Sequence, residues 1–190
     1  MNIVPALVGA APGVVVAAIA SANKKKHDLA ARAIMKTNLV PAKDTIKHYA
    51  PDTYVATSKE DVESSPLENW QKILINKFHS RVFSGGSPFY VNTKNPIIIS
   101  PRLVNKELIG HEIGHKIDIT KNKRTILDEF VPSISERRAW QQSPFAGPES
   151  DKVMKPMIAS YKAGQIGSMG IAAAMIGALA APLVMKALKK

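Results

Sequence analysis

The chain has 190 residues, contains no cysteine and carries a formal net charge of +11 at pH 7. The lack of cysteine excludes disulfides and thiolate metal sites but leaves the cellular compartment open. The basic balance suits an anionic lipid surface or an acidic polymer. No DNA- or RNA-binding motif accompanies it, so we do not expect nucleic acid as a partner.

An uncharged apolar segment lies towards each end of the chain, at residues 3–22 and 163–185. Each is long enough to span a bilayer, although both are rich in alanine and glycine rather than leucine. Three lysines follow the first segment at 24–26, the reverse of a secretory signal, so we predict a retained anchor. The sequence therefore predicts a membrane protein with an anchor helix at 1–22, a central domain at 23–162 and a hydrophobic helix with a basic tail at 163–190.

Small residues recur at helical spacing in both apolar segments. Gly9 and Gly13 form a GxxxG pair, and a second row is formed by Ala173, Gly177 and Ala181. Such spacings favour close helix packing in lipid, so we predict that the segments pair with each other, with other copies or with a membrane-protein partner. Alanine-rich helices packed in a soluble protein remain the alternative. Basic residues follow both segments, so the rule that positive charge stays on one side does not settle the topology.

The first part of the central domain shows one strand and one helix. Residues 54–57 are typical of a short strand, and Ser65 with Glu68 fits a capping box at the start of a helix. Leu67, Trp70, Leu74 and Phe78 then recur at helical spacing. This pattern predicts a helix that buries Trp70 and Phe78 in the core.

A hairpin and a second helix follow. Residues 90–91 and 97–99 form two apolar runs on either side of a turn, which indicates paired strands. Ser100 is a good N-cap and Pro101 suits the first helical position, so we predict that the helix begins there. Apolar residues recur at helical spacing through this segment, namely Leu103, Val104, Leu108, Ile109, Ile113 and Ile117.

The sequence HEIGH at residues 111–115 lies on this predicted helix. Its two histidines are one turn apart, so both imidazoles can bind one ion. Glu112 lies beside them and can accept a proton from a water that zinc has made acidic. Gly110 and Gly114 each weaken the helix by up to about 1 kcal/mol relative to alanine, which suggests that another backbone approaches closely on their face.

A second predicted helix, beginning near Pro132, presents Glu136 one turn before Ala139 and Trp140. The spacing after His115 excludes the metzincin pattern, since Asp118 and Lys121 occupy the positions where that class has glycine and histidine. Over about residues 88–142 the chain resembles the gluzincin class of zinc metallopeptidases, and its minigluzincin type in particular. The resemblance implies an α+β, zincin-like domain in which the HExxH helix packs under a short sheet.

The resemblance also implies the roles of individual residues. His111, His115 and Glu136 would hold Zn²⁺, and Glu112 would act as general base. Glu129 is the rival third ligand. Trp140 stands where several gluzincins have an aspartate that orients a ligand histidine, and Asp118 is our candidate for that contact. The group that would stabilise the oxyanion stays open among Tyr90, Arg138, Tyr161 and His79.

These features predict a membrane-associated zinc metallopeptidase that hydrolyses peptide bonds in extended substrates. We expect Ile97–Ile99 to be the edge strand that a peptide or protein substrate joins. One alternative is a hydrolase of peptidoglycan peptides, or a structural membrane protein of a virion with a non-catalytic zinc site. Another is a pore-forming or membrane-remodelling protein, suggested by the terminal segments.

Overall fold

The computed structural model describes residues 4–92, 95–122 and 132–187, and it combines helices with short strands in an α+β arrangement. The described helices are α1 (Val4–Ile34), α2 (Ala42–Tyr49), α3 (Lys59–Glu63), α4 (Asn69–Phe78), α5 (Lys106–Lys121), α6 (Pro132–Gln142) and α7 (Pro148–Ala187). The described strands are β1 (Leu39–Pro41), β2 (Tyr54–Ala56), β3 (Phe89–Val91), β4 (Ile97–Ile99) and β5 (Leu103–Asn105). A 3₁₀ turn at Ser80–Ser84 follows α4.

The chain forms two compact units. The terminal unit holds α1 up to Ala30 and α7 from Pro156, and the central unit spans Ala31–Lys155. The sequence placed the limits of the central domain at 23 and 162, so both ends of the observed unit lie further inside. The difference arises because α1 and α7 are continuous helices that extend beyond their apolar segments.

In the terminal unit, α1 and α7 pack through small residues. Gly13 leaves no room for a side chain, since an added Cβ would come within 2.5 Å of the Gly170 carbonyl oxygen and of the Ala174 nitrogen. The predicted pairing of the two segments is therefore present within one chain. The row that faces α1 contains Gly170 and Ala174, whereas Ala173 of the predicted row is exposed.

One helix in the described part of the chain, at Pro148–Ala181, is long and apolar enough to cross a membrane. Only 17% of its most apolar window is buried. A soluble core helix of the same length would bury far more of its apolar surface. The spanning role of residues 3–22 stays a prediction.

The central unit contains two small sheets. In one, β1 pairs with β5 in antiparallel register; in the other, β4 lies between β2, to which it is parallel, and β3, to which it is antiparallel. The predicted hairpin of β3 and β4 is confirmed, as is the strand at 54–56. The expectation that Ile97–Ile99 forms an edge strand is wrong. Its three isoleucines are fully buried because this strand is covered on both faces and paired on both sides.

Alternate residues of β4 contribute to two hydrophobic clusters, because successive strand side chains point to opposite faces. Ile98 packs in one cluster with Ile109 and Ile113 of α5. Ile97 and Ile99 pack in the other cluster with residues that include Val62 and Ile75. The HExxH helix is therefore fixed against one face of the three-stranded sheet.

The start of α5 differs from the prediction. Ser100 and Pro101 do not begin the helix, because Leu103–Asn105 forms strand β5 instead. Asn105 is the actual N-cap, and its side chain accepts a hydrogen bond from the Leu108 N–H at 3.0 Å. Its amide also donates to the Thr37 carbonyl at 2.9 Å, so one side chain caps α5 and secures the segment before β1. Pairing with β1 outweighs the local helix-start signal.

The start and the buried face of α4 also differ from the prediction. The capping box is formed by Glu68 with Gln71, one turn later than the Ser65–Glu68 pair. Ile75 is buried, whereas Trp70 and Phe78 are 56% and 64% exposed. The prediction that both aromatic residues lie in the core is wrong, because α4 packs against the sheet through Ile75 instead.

Candidate metal centre

The two histidines of the HEIGH sequence lie on one face of α5. Their ring centroids are 4.4 Å apart, and the rings meet edge to face. His111 is buried, and His115 is partly exposed. One ring is thus held deep in the protein while the other lies closer to solvent, and both present Nε2 to the same space.

Glu136 reaches this space from α6, twenty-one residues further along the chain than His115. Its Oε2 lies 3.0 Å from the Nε2 of His111, and its Oε1 lies 3.5 Å from the Nε2 of His115. The ligand atoms of the three residues all lie within 4.8 Å of one another. Tetrahedral zinc with ligand bonds near 2.0–2.1 Å keeps its ligand atoms about 3.3 Å apart. The two separations from Glu136, 3.0 and 3.5 Å, are close to that value, so the cluster could hold a metal ion.

Close packing of the two helices brings Glu136 into place. A Cβ added to Gly114 would lie 1.9 Å from the carbonyl oxygen of Ala139. A Cβ added to Gly110 would meet the Ser143 hydroxyl at 2.5 Å. The inference that another backbone approaches the glycine face of α5 is confirmed, and that backbone belongs to α6.

Trp140 packs against the imidazole ring of His111. The indole stacks on the imidazole with centroids 4.4 Å apart and planes 27° apart. The Nδ1 of His111 and the Nε1 of Trp140 are both buried without a hydrogen-bond partner in the described part of the chain. A metal-binding histidine usually donates its second N–H to a carboxylate or carbonyl. Here the ring is held by stacking instead.

Asp118 has a different partner from the one predicted. It is buried, and both carboxylate oxygens accept hydrogen bonds from the Nε of Arg138, at 3.0 and 3.1 Å. A further bond comes from Asn122 at 2.8 Å. Asp118 thus connects α5 to α6 rather than holding a ligand imidazole. No local pattern in the sequence indicates this pair, because its members are twenty residues apart.

Burial and hydrogen bonding set the charges of the cluster. Burial lowers the pKa of His111 to about 4, because the charged imidazole loses its water. Burial also opposes the charged form of His115, but the hydrogen bond to Glu136 and the nearby carboxylates outweigh it and raise the pKa of His115. Burial disfavours ionised Glu136, yet its bonds to the two imidazoles hold its pKa at about 2. Glu136 is therefore the anion of the cluster.

Glu112 points into the protein beside this cluster. Burial raises the pKa of its carboxyl to about 8, and the backbone N–H of Tyr90 donates a hydrogen bond that partly opposes this rise. Tyr90 belongs to β3, which has only β4 as a neighbour among the described strands. The structure thus brings a sheet edge next to the predicted general base, a relation that the sequence did not reveal.

The remaining candidate side chains have other partners, lie in the terminal unit or fall outside the described residues. Glu129, the rival third ligand, falls outside the described residues. The Arg138 guanidinium is bound to Asp118. Tyr90 packs against the hydrophobic cluster that contains Ile98, Ile109 and Ile113. The His79 ring lies against Phe89. Tyr161 belongs to the terminal unit. The choice of an oxyanion-stabilising group therefore stays open.

No protein-family model matches this chain, and no curated protein or solved structure matches it significantly. The function of the chain is therefore inferred from the chemistry of its own residues.

Proposed function

We propose that this protein is a membrane-associated zinc metallopeptidase with a zincin-like central unit. The observation that carries the proposal is the position of Glu136, which reaches both Nε2 atoms from a separate helix. Two imidazoles and a carboxylate form the ligand set of one class of catalytic zinc sites. His111, His115 and Glu136 would hold the ion, and three protein ligands leave one tetrahedral position open. A structural site would be expected to have four protein ligands.

Zinc, when bound, would supply Lewis acidity that lowers the pKa of a water and polarises a peptide carbonyl. Glu112 would accept the proton of the attacking water on its carboxylate and later deliver it to the leaving amine. Its burial favours this exchange, because a carboxyl with a pKa near neutrality both takes up and releases a proton easily. The positive charge of a bound ion favours ionised Glu112.

The edge of β3 is our proposed docking strand for the substrate. It replaces β4, which is paired on both sides. An extended peptide added along the outer edge of β3 would run beside Glu112, since the Tyr90 N–H donates a hydrogen bond to the Glu112 carboxyl. A peptide or protein substrate fits this geometry, and the peptide part of peptidoglycan is the alternative substrate.

Membrane association is supported by the exposed apolar surface of α7 and by the matching segment of α1. The side chains exposed on these helices are large and apolar, and they include Ile171, Met175 and Leu179, the last of which is 75% exposed. Water makes such a surface costly, at about 25 cal/mol for each Å² of apolar area. A lipid environment removes that cost.

Two variants test the metal site and the reaction separately. Zinc content of the purified full-length protein should be about one ion per chain and should be lost or greatly weakened in Glu136→Ala. Glu112→Gln should keep the zinc and lower peptide hydrolysis by about 10²- to 10⁴-fold, since it removes the proton acceptor. Casein and purified cell-wall peptides serve as substrates. Full turnover in Glu112→Gln would show that Glu112 is not the general base. Absence of zinc from the wild type would refute the proposal.

A further inference from the structure

We propose that α1 and α7 cross the bilayer together as one antiparallel hairpin. Their outer ends then share one side of the membrane, and residues 31–155 lie on the other side. This inference rests on the membrane attachment proposed above and is independent of the chemistry at the metal centre. It answers the question of topology that the distribution of lysines left open.

The antiparallel direction follows from the order of the contacts. An added Cβ at Gly170 would lie 2.9 Å from the Ala17 nitrogen, and one at Gly167 would lie 3.5 Å from the Ala20 Cβ. Closer to the central unit, the Ser160 hydroxyl and the Asp28 carboxylate are hydrogen-bonded. As residue numbers rise along α1, the numbers of their partners on α7 fall.

The residues between the two helices are small and the outward residues are large. We call the contact row the small-residue seam; it consists of Gly13, Ala17, Ala20, Gly167, Gly170 and Ala174. Such a seam lets two backbones approach closely, and close packing is what holds helices together in lipid. The fit is specific, because a Cβ added at Gly13 or at Gly170 would lie only 2.5 to 2.9 Å from backbone atoms of the facing helix.

Large apolar side chains cover the outer surface of both helices. On α1 they include Val14, Val15, Val16 and Ile19, and on α7 they include Ile166, Met169, Ile171, Met175, Ile176 and Leu179, all of which are exposed. Consecutive residues such as those at 14–16 point in three directions around a helix. A single protein partner would cover one side of the hairpin, whereas a bilayer surrounds it. We therefore assign lipid as the occupant.

The hairpin also has the length and the ends that a double span requires. Residues 4–23 and 163–185 contain no charged side chain, and each stretch rises about 30 Å or more as a helix. Charge begins abruptly at the inner end, where Lys24 forms an ion pair with Asp28 at 2.6 Å. Polar groups would thus meet water and headgroups just where the apolar surface stops.

Basic residues are concentrated at this inner end. Within fifteen residues of the two uncharged stretches it carries Lys24, Lys25, Lys26, Arg32, Lys36, Lys152, Lys155 and Lys162. The five residues that follow the outer end of the α7 stretch include Lys186, Lys189 and Lys190. Flanking lysine and arginine favour the cytoplasmic side of a membrane. The hairpin therefore places residues 31–155, with the candidate metal centre, on the cytoplasmic side of the membrane.

A disulfide tests the seam in membranes that contain the full-length chain. The protein has no cysteine, so Ala20→Cys with Gly167→Cys introduces one possible bridge. The 3.5 Å separation of the two Cβ positions matches disulfide geometry, so oxidation should link them within one chain. Ala20→Cys with Met169→Cys is the matched control, because Met169 is 72% exposed and should not link. A bridge between two chains, or equal linking in the control, would overturn the hairpin.

Labelling of single cysteines tests the topology. Asn23→Cys and Lys121→Cys should react with a membrane-impermeant maleimide from one side of the membrane, and Asn2→Cys and Lys189→Cys should react only from the other. Val16→Cys should react only after detergent is added. If the cysteines at positions 2, 23, 121 and 189 all reacted from the same side, the double span would be overturned. Recovery of the chain in the soluble fraction would overturn it as well.

The peptidase proposal and the hairpin proposal would be contradicted by different results. Neither the disulfide nor the labelling requires zinc or turnover, so the hairpin can stand if the protein binds no metal. Conversely, one zinc per chain with loss of turnover in Glu112→Gln would support the peptidase even if labelling showed a single span.

Discussion

At the scale of single residues, three ionisable groups hold different charges in one small space. The pKa of His111 falls to about 4, the pKa of His115 rises and the pKa of Glu136 falls to about 2. Near pH 6 the cluster thus contains a neutral imidazole, an imidazolium and a carboxylate. The imidazolium occupies the space where a metal ion would bind, so binding must displace its proton.

These charges predict how many protons the Glu112→Gln variant releases when it binds zinc. At pH 6, zinc binding should release one proton per ion, because His115 has a pKa above its ordinary 6.5 whereas His111 and Glu136 have already lost their protons. The affinity for zinc should accordingly fall about tenfold for each unit by which the pH lies below the pKa of His115. Calorimetry in two buffers with different protonation enthalpies counts the protons.

The wild-type protein provides the comparison. Its Glu112, whose pKa burial raises to about 8, is protonated at pH 6 and should lose a second proton when the cation arrives. Release of two protons by Glu112→Gln would contradict the assigned charges, since the second proton would then have to come from a group other than Glu112.

At the scale of elements, the contact between α5 and α6 controls the candidate site. Gly114 lets the Ala139 carbonyl approach α5, and the ion pair of Asp118 with Arg138 connects the helices further along. Glu136 lies on the same helix as both contacts. Its position over the imidazoles therefore depends on how closely the two backbones approach.

Gly114→Ala should weaken zinc binding although it changes none of the three metal-binding residues. The new methyl group would lie 1.9 Å from the Ala139 carbonyl oxygen, so α6 must move. Overpacking of this kind costs about 1–3 kcal/mol or more, and displacement of Glu136 should weaken zinc binding at least about tenfold. Chemical denaturation and zinc titration measure the two effects.

Gly110→Ala is the graded control on the same helix. Its methyl group would meet side-chain atoms of Ser143 and Phe145, which can rotate, and the helix gains up to about 1 kcal/mol from alanine. We expect a smaller loss of both stability and zinc affinity. Wild-type zinc affinity in Gly114→Ala would mean that α6 does not approach α5 as the structure shows.

At the scale of the whole molecule, a bound ion should cross-link two helices of the central unit. The ligands lie on α5 and α6, and α5 is anchored to the sheet through Ile109 and Ile113. An ion that bridges these helices binds the folded chain better than the unfolded one. Binding energy at the site is then folding energy.

Zinc should therefore raise the melting temperature of the full-length protein in detergent. At a free zinc concentration about a thousandfold above Kd the gain is about 4 kcal/mol, and each kcal/mol corresponds to about 2–4 °C for a chain of this size. A rise of about 10 °C is expected in the wild type by calorimetry or thermal fluorescence. Glu136→Ala should show little change, and an equal rise in that variant would place the bound zinc elsewhere.

The sequence by itself determined the features that depend on local periodicity. The spacing of His111 and His115 fixed their common helix face, the β-branched run at 97–99 predicted a strand, and Pro132 marked the start of α6. Glycines in a helix predicted the close approach of another backbone. These features could be recognised because each depends on neighbours within a few residues.

Only the tertiary structure decided which distant residues meet. It brought Glu136 to the histidines, gave Asp118 to Arg138, paired Leu103–Asn105 with β1 and placed β4 at the centre of its sheet. It also exposed Trp70 and Phe78, since the face of α4 that is buried depends on where the sheet lies. Local signals cannot specify these outcomes, because the free energy that settles them comes from packing and pairing between segments far apart in the chain.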